Sequence, residues 1–274
     1  MDFSVLMSVY RNDKPEFVRI AIESVTTRQT LKPSEVVLVV DGPVSDTLAN
    51  VIKEYEDAPE SIFKVIWLPE NQGLGNALNI GLKEASFEII ARMDSDDVSI
   101  PNRFEKQIHY LNEHKDCSLL GGQISEFIGT ENNIVGKRIV PCDNNDILER
   151  LKSRCPFNHM SVMMLRSHVI AAGNYNDWHF NEDYYLWIRM AEAGCKFANL
   201  PDTLVNVRVG KDMYARRGGW KYFISEKGLQ DYMLDRKMIS VPRYCYNVLG
   251  RFFIQVAIPN RLRAFLFQKL FRKS

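Results

Sequence analysis

Apolar and polar positions change period repeatedly along the chain, and the changes mark out its elements. Residues 3–9 form an apolar run. Pro15, suited to a first helical turn, then precedes Phe17, Ile20, Ala21 and Val25 at helical spacing. The unit repeats with strand 35–40 and helix 47–55, strand 63–68 and helix 73–85, strand 88–93 and helix 103–114. Such alternation predicts an α/β fold with a mostly parallel central sheet flanked by helices. The run Val36-Val37-Leu38-Val39-Val40 fits a strand buried on both faces. Beyond residue 115 the pattern is irregular, with strands expected at 118–121, 134–140 and 160–165 and helices near 146–152 and 181–193. Asn181 is expected to cap the last of these, Glu182 and Asp183 to favour its first turn, and Gly194 to close it. From about residue 217 the pattern is wholly helical.

In an open parallel sheet, ligands bind outside the carboxyl ends of the strands, so the residues that follow each apolar run carry the information. Here they are Tyr10, Arg11 and Asn12, then Asp41-Gly42, then Glu70-Asn71-Gln72-Gly73, then Asp94-Ser95-Asp96-Asp97. Each alone reads equally as a loop residue or a cap; together they predict one crevice. Three carboxylates within residues 94–97 repel one another unless a cation or donors offset them. Hard oxygen ligands in small number suit Mn²⁺ or Mg²⁺, with water and phosphate completing the shell. The plainer reading is a helix cap by Asp97 or Ser99. An EF-hand gains Glu105 at its twelfth position but has Val98 and Ser99 where it needs an oxygen ligand and a glycine. Gly73-Leu74-Gly75-Asn76-Ala77-Leu78 lacks the third glycine of a dinucleotide fingerprint and follows the wrong strand. There is no Walker A sequence.

Composition narrows the classes further. With 274 residues, 46% hydrophobic and 25% charged, the chain can build a sizeable core, and disorder, collagen and coiled coil are excluded. Cys117, Cys142, Cys155, Cys195 and Cys245 are odd in number and contain no Cys-x-x-Cys pair, which argues against disulfides and a thiolate zinc site. Met1-Asp2-Phe3-Ser4 shows no charged leader, so a cytoplasmic protein is expected. No run approaches the roughly 18 apolar residues of a spanning helix.

The net charge of +1 hides an asymmetry. Residues 243–274 carry seven basic and no acidic side chains, which leaves −6 on the rest. At about 100° per residue Asn247, Arg251 and Gln255 make a narrow polar stripe on an otherwise apolar helix, whose apolar surface must bury itself in something. Basic charge with five phenylalanines suits peripheral attachment to the inner face of the plasma membrane, with helices folded onto the body as the competing expectation. No nucleic-acid partner is expected.

With these residues in hand, the chain resembles an inverting family 2 glycosyltransferase of the GT-A fold, in the bacterial subgroup that builds surface polysaccharides such as O-antigen. The resemblance rests on Ser8-Val9-Tyr10-Arg11-Asn12, Asp41-Gly42, Asn71-Gln72-Gly73 with Asn79-Ile80-Gly81, Asp94-Ser95-Asp96-Asp97 with Pro101 and Arg103, and Glu182-Asp183 followed by Leu186-Trp187 and Arg189. It implies a transferase domain over residues 1–215, with a nucleotide-binding half to about 115 and an acceptor-binding half after it, and a basic helical extension over 216–274.

The resemblance also implies roles. Asp41 hydrogen-bonds the base, usually uracil, while the backbone around Ser8, Val9 and Tyr10 cradles the nucleoside, and Asn12, Asn71, Gly73, Asn76 and Ser95 belong to the same nucleotide site. Asp96 ligates the metal, and Asp94 contacts the ribose or the metal's water shell. Asp183, beside Glu182, is the general base. His159 lines the acceptor pocket or is a packed histidine; Trp178 stacks on a sugar or belongs to the core. Arg216 and Arg217, before Gly218-Gly219, form a lid or a solvated connector. Leu78 stands where many relatives carry a basic residue, and no Gln-x-x-Arg-Trp motif is present, so one sugar per encounter is expected. The implied reaction moves a sugar from a UDP-sugar to a polyprenyl-diphosphate-linked oligosaccharide. A sugar-1-phosphate nucleotidyltransferase, disfavoured by the missing glycine-rich loop, and an inactive membrane-bound scaffold, disfavoured by the retained carboxylates, remain as alternatives. Sequence leaves the donor sugar, the acceptor hydroxyl and the oligomeric state open.

Overall fold

The computed structural model describes residues 1–210 and 219–257. The first half runs β1 (Phe3–Val9), α1 (Pro15–Val25), β2 (Glu35–Val40), α2 (Asp46–Glu56), β3 (Phe63–Trp67), α3 (Leu74–Glu84), β4 (Ile89–Met93), a two-residue β5 (Val98–Ser99) and α4 (Arg103–Glu113). The second half runs β6 (Cys117–Phe127), β7 (Ile134–Arg138), α5 (Asn144–Leu151), β8 (Met163–Leu165), α6 (Arg166–Ala171), α7 (Glu182–Glu192) and β9 (Lys196–Arg208). Helices α8 (Trp220–Asp235) and α9 (Val241–Phe252) follow, and α9 continues as a π-helical turn, Phe253–Ala257.

The described strands form one sheet in the order β3-β2-β1-β4-β8-β6-β9-β5, with β7 beside β6. Strands β3, β2, β1 and β4 are mutually parallel, and β8 runs antiparallel to both β4 and β6. Phe3, Val5, Met7 and Val9 face the core shared with α1 and α2, whereas Leu6 and Val37 face the core under α3 and α7. Fully burying an aliphatic side chain stabilises by roughly 1.5–3 kcal/mol. This doubly covered sheet is therefore a rigid base for the loops at its carboxyl edge. Because the strand order turns back between β1 and β4, the loops after those two strands open a crevice.

β9 has no counterpart among the predicted elements, since Pro201 and Asp202 interrupt its pattern. Parallel pairing with β6 along its length holds it instead. β6 likewise continues past the Gly121-Gly122 pair. A Cβ on Gly121 would lie 2.2 Å from Asn199 Oδ1, and one on Gly122 2.4 Å from Leu204 Cδ1. Those glycines allow the close approach of β9 rather than ending a strand.

The C-terminal helices dock on the body through apolar and polar contacts, Leu229 and Met233 of α8 being buried in the core under α3 and α7. Trp178 Nε1 donates to Ser225 O at 3.0 Å, and Asn181 Nδ2 to Ser225 Oγ at 3.0 Å. Asn181 therefore does not cap α7 with its side chain. The expected stripe on α9 faces inward. Asn247 Nδ2 donates to Lys152 O at 3.0 Å and Gln230 Oε1 at 2.8 Å, while Arg251 pairs with Glu226 at 2.9 Å and donates to Ser153 O at 2.6 Å. This corrects the expectation that the apolar surface would be buried. The end of α5 offers carbonyls that only polar side chains can satisfy, so the stripe turns in and Tyr246, Leu249 and Phe253 turn out. Arg243 is also taken up, by Glu149. Arg261, Arg263, Lys269, Arg272 and Lys273 lie outside the described residues. No described helix is long and apolar enough to cross a membrane.

Candidate active site

The four polar strand ends converge. Ser8, Tyr10, Asn12, Asp41, Asn71, Gly73, Asp94, Ser95, Asp96 and Glu182 line one cleft of about 640 Å³. Two expected members do not line it. The Val9 side chain is fully buried in the core, on the same face as Val5 and Met7, and its carbonyl holds the backbone N–H of Asp41 at 2.7 Å. Asn76 turns its amide back to Gln72 O at 3.0 Å.

Asp41 anchors the loop after β3. Its Oδ1 accepts from Gln72 N at 2.7 Å, and its Oδ2 from Gly73 N at 3.0 Å and Asn71 Nδ2 at 2.9 Å. A carboxylate offers about four lone-pair positions, so one remains for a ligand N–H. Gly42 makes the contact possible, with φ +84° and a would-be Cβ only 2.5 Å from Asn71 N.

Across the cleft lies an acidic group larger than the motif. Asp13 Oδ2 accepts from Ser95 Oγ and Tyr10 N, both at 2.9 Å, which ties the loop after β1 to that after β4. Asp96 stands exposed at the mouth, its pKa raised to about 6 by the protein crowded around it, then by Asp94 and Asp13. Asp97 is buried and accepts from Arg208 N at 2.8 Å, and burial, then Asp94 and Asp96, pushes its pKa up. Neither Asp97 nor Ser99 caps α4, whose cap position is Asn102.

Two arginines offset this charge. Arg208 donates from Nε to Asp96 O at 3.1 Å and stacks on Phe17 and Phe127. Arg92, 2% exposed, pairs with Asp94, and its Nε and Nη1 have no hydrogen-bond partner among the described residues. Arg103 donates to Arg92 O at 2.8 Å and so fixes the end of β4.

The donor set at Asp94 and Asp96 fits a hard divalent cation, being all carboxylate oxygen, with Asp96 open to the cleft. Among the described residues no three His, Cys, Asp or Glu side chains are grouped to hold a metal alone. Mg²⁺ and Mn²⁺ are commonly held by one or two carboxylates together with water and substrate phosphate.

The start of α7 places its two carboxylates in different spaces. Glu182 lines the cleft, whereas Asp183 lines a second cavity of about 410 Å³ walled by α8 and α9. Burial, then Asp183, raises the Glu182 pKa to about 7. Burial also raises Asp183, against hydrogen bonding from Tyr184 N at 2.7 Å and the nearby Arg138 and Arg92. Phe180, at φ +57° and 53% exposed, lines both spaces. A non-glycine residue in the left-handed region beside a site is strained, a feature that clusters at functional positions.

The other candidates are placed differently. His159 is buried, hydrogen-bonds Tyr175 Oη at 2.9 Å and packs against Trp187; burial pushes its pKa down, so it is a packed histidine. Trp178 packs between Tyr185 and Gly228 and lines neither space. Arg216 and Arg217 lie outside the described residues. Asp13, Arg92, Arg138, Phe180 and Arg208 were missed from sequence. Only Arg92, a charge inside the apolar run Ile89-Ile90-Ala91-Arg92-Met93, and Asp13, three residues past Tyr10, left a readable sign.

Known proteins match this arrangement. The model for glycosyl transferase family 2 matches residues 4–172. The chain is 39% identical over 267 residues to the amylovoran biosynthesis glycosyltransferase AmsE of Erwinia amylovora, covering 97% of this chain and 98% of that one. It is 34% identical over 273 residues to the UDP-Gal:alpha-D-GlcNAc-diphosphoundecaprenol beta-1,3-galactosyltransferase of Escherichia coli, covering 99% and 97%. Among solved structures, S. aureus TarS 1-349 in complex with UDP-GlcNAc matches with TM-score 0.66 at 16% identity, over 92% of this chain and 73% of that one. The mannosyltransferase PcManGT from Pyrobaculum calidifontis, in complex with GDP-Man and Mn²⁺, matches with TM-score 0.61 at 15% identity, over 95% and 71%. These two show a shared GT-A fold. With a family model over more than half its length and relatives aligned from end to end, the chain belongs to glycosyl transferase family 2 and is a glycosyltransferase.

Proposed function

We propose that the enzyme transfers one sugar from a UDP-sugar, with inversion at the anomeric carbon, to a hydroxyl of a polyprenyl-diphosphate-linked oligosaccharide in bacterial surface polysaccharide synthesis. The observation that carries this reading is the carboxylate pair Glu182 and Asp183, which separates a cleft holding Asp41, Asp94 and Asp96 from a second cavity. The names of the relatives at 39% and 34% identity support the pathway class, the UDP donor and the lipid-linked acceptor.

In this reading Asp41 takes the base N–H at its remaining lone-pair position, and the loops after β1 and β3 hold the nucleoside. Asp94 and Asp96 would hold Mn²⁺ or Mg²⁺, which supplies positive charge against the leaving diphosphate. Asp183 accepts the proton of the acceptor hydroxyl. The freed oxygen bonds to C1 from the face opposite the leaving group, the bond from C1 to the phosphate oxygen breaks, and UDP departs with the electron pair. A raised pKa strengthens Asp183 as a base, and such a base contributes ~10²- to 10⁴-fold in rate. The outward apolar side chains of α9, followed in sequence by five basic and no acidic residues over 258–274, suit the anionic surface where a lipid-linked acceptor resides.

The test is a hydrolysis and thermal-shift screen of nucleotide sugars with and without Mn²⁺, repeated with Asp183→Asn. One UDP-sugar should give a metal-dependent response with UDP as product, and Asp183→Asn should lose transfer while binding UDP. Release of pyrophosphate, or full turnover by Asp183→Asn, would overturn the reading.

A further inference from the structure

Among the described residues Phe180 alone borders all of three spaces: the donor cleft with Glu182, the cavity with Asp183, and a third of about 940 Å³ that takes in Asp94, Asp96, Arg138 and Tyr222. Stability does not explain its place. The ring is 53% exposed, so it lends little to the core, and the backbone beneath it is strained at φ +57°. Asn181 N donates to Trp178 O at 2.8 Å and closes a turn with Phe180 third, a place where a positive φ favours glycine or asparagine.

Strain of this kind persists only where the surroundings over-determine it, and here one residue of α8 does so. Ser225 Oγ donates to His179 O at 2.6 Å and accepts from Asn181 Nδ2 at 3.0 Å, and Ser225 O accepts from Trp178 Nε1 at 3.0 Å. Trp178, His179 and Asn181 are thus held to α8 while the Phe180 ring stays in the open. The other rings are engaged or placed elsewhere. Phe17, which borders the first and third spaces, lies under the Arg208 guanidinium at 3.8 Å and the Lys14 ammonium at 5.1 Å, and Tyr10 borders the donor cleft alone.

A hydroxyl that bonds to a carbon in the donor cleft and gives its proton to Asp183 must bring its sugar to where these spaces meet, and Phe180 stands there. A sugar ring has an apolar face of C–H groups and a rim of hydroxyls. The face of an aromatic ring matches the first, and neighbouring carboxylates match the second.

We infer that Phe180 is the platform on which the terminal sugar of the acceptor stacks, held in advance by Ser225 so that the reacting hydroxyl lies between Asp183 and the donor. The inference rests on the proposed transfer and adds a contact to the acceptor. It leaves the proton transfer with Asp183.

The full chain is assayed with Mn²⁺, with UDP-glucose, UDP-galactose, UDP-GlcNAc and UDP-GalNAc as donors and decyl-diphosphate-linked mono- and disaccharides as acceptors, and the pair that reacts is carried into steady-state kinetics. Phe180→Gly removes the ring and relieves the backbone, so its melting temperature should equal or exceed that of the parent and its UDP affinity should match. Its kcat/KM for the acceptor should fall about ten- to a hundredfold, with KM for the donor within about twofold of the parent. Phe180→Trp keeps an aromatic face and should recover transfer to within about threefold of the parent, a rescue that a merely structural residue would not show. Transfer by Phe180→Gly equal to that of the parent, or Phe180→Trp as slow as Phe180→Gly, would overturn the platform. A rise in donor KM as large as the loss toward the acceptor would overturn it too, since the ring would then hold the donor. No transfer by the parent from any of these donors to any of these acceptors would instead strike the proposed reaction itself and the platform with it.

Discussion

Arg92 separates what a side chain does for stability from what it does for chemistry. It is 2% exposed, pairs with Asp94, and leaves Nε and Nη1 without hydrogen-bond partners among the described residues. Each unsatisfied buried donor costs roughly 1–3 kcal/mol, and a buried cation costs several more before its pairing is counted. Removing the cation strands little in return, because Asp94 is 30% exposed and water can reach it. Arg92→Met should therefore change unfolding free energy by no more than about 2 kcal/mol at about pH 6. Activity should behave otherwise. Arg92 favours the ionised forms of Glu182 and Asp183, and its loss should lower kcat/KM by about 10²-fold or more. A carboxyl whose folded pKa lies above its unfolded value costs stability once pH rises past the unfolded value, and the full cost is reached above the folded one. Without Arg92 that window extends upward, so the variant should fall behind the parent in melting temperature as pH rises from about 6 to about 8. Transfer within about threefold of the parent, or a loss above about 4 kcal/mol at about pH 6, would refute the reasoning.

Two further outcomes follow from the site. Glu182 titrates at about 7, so Glu182→Gln should remove that limb from the pH profile of kcat/KM and raise the melting temperature relative to the parent at high pH only; identical profiles would exclude Glu182. Gly42→Ala puts a Cβ 2.5 Å from Asn71 N at φ +84° and should cost about 2–4 kcal/mol in urea unfolding and weaken UDP binding, whereas Gly129→Ala, at φ +75° with open space around it, should cost about 1 kcal/mol and leave UDP binding unaltered.

The nucleotide-binding half was legible because period and position carry its information. Strands buried on both faces read as unbroken apolar runs, and the polar residues after them fall at the edge where ligands bind. The Val9 side chain follows its period-2 partners Val5 and Met7 into the core, which leaves only its backbone to face the nucleotide. What sequence could not show depends on contacts between distant segments. β9 exists through its pairing with β6, and with β9 went Arg208, which reaches back to Asp96. Arg138 lines the second cavity, which α8 and α9 wall, and Phe180 lines both spaces; neither position follows from the local pattern. The stripe Asn247, Arg251 and Gln255 was read correctly as a helix face, yet hydropathy alone put the wrong side inward. Hydrogen-bond demand at the end of α5 outweighed it.

That inversion changes how membrane attachment should be tested. Deleting everything after residue 242 would remove the helix that satisfies Lys152 O, Ser153 O and Gln230, so lost membrane binding would be confounded with lost structure. The outward side chains offer a cleaner perturbation. Leu249 and Phe253 are 57% and 58% exposed and spaced one helical turn apart, so Leu249→Ser/Phe253→Ser should cost the fold less than about 1 kcal/mol. Inserted into a bilayer, each would remove most of its remaining apolar surface from water, worth roughly 1–2 kcal/mol per side chain. The pair should therefore lower partitioning onto anionic vesicles by about thirty- to a thousandfold, while hydrolysis of the donor sugar in solution is unchanged. If the double variant sediments with phosphatidylglycerol vesicles as fully as the parent, the outward face of α9 does not hold the enzyme to the membrane. Attachment would then fall to the basic residues that follow it.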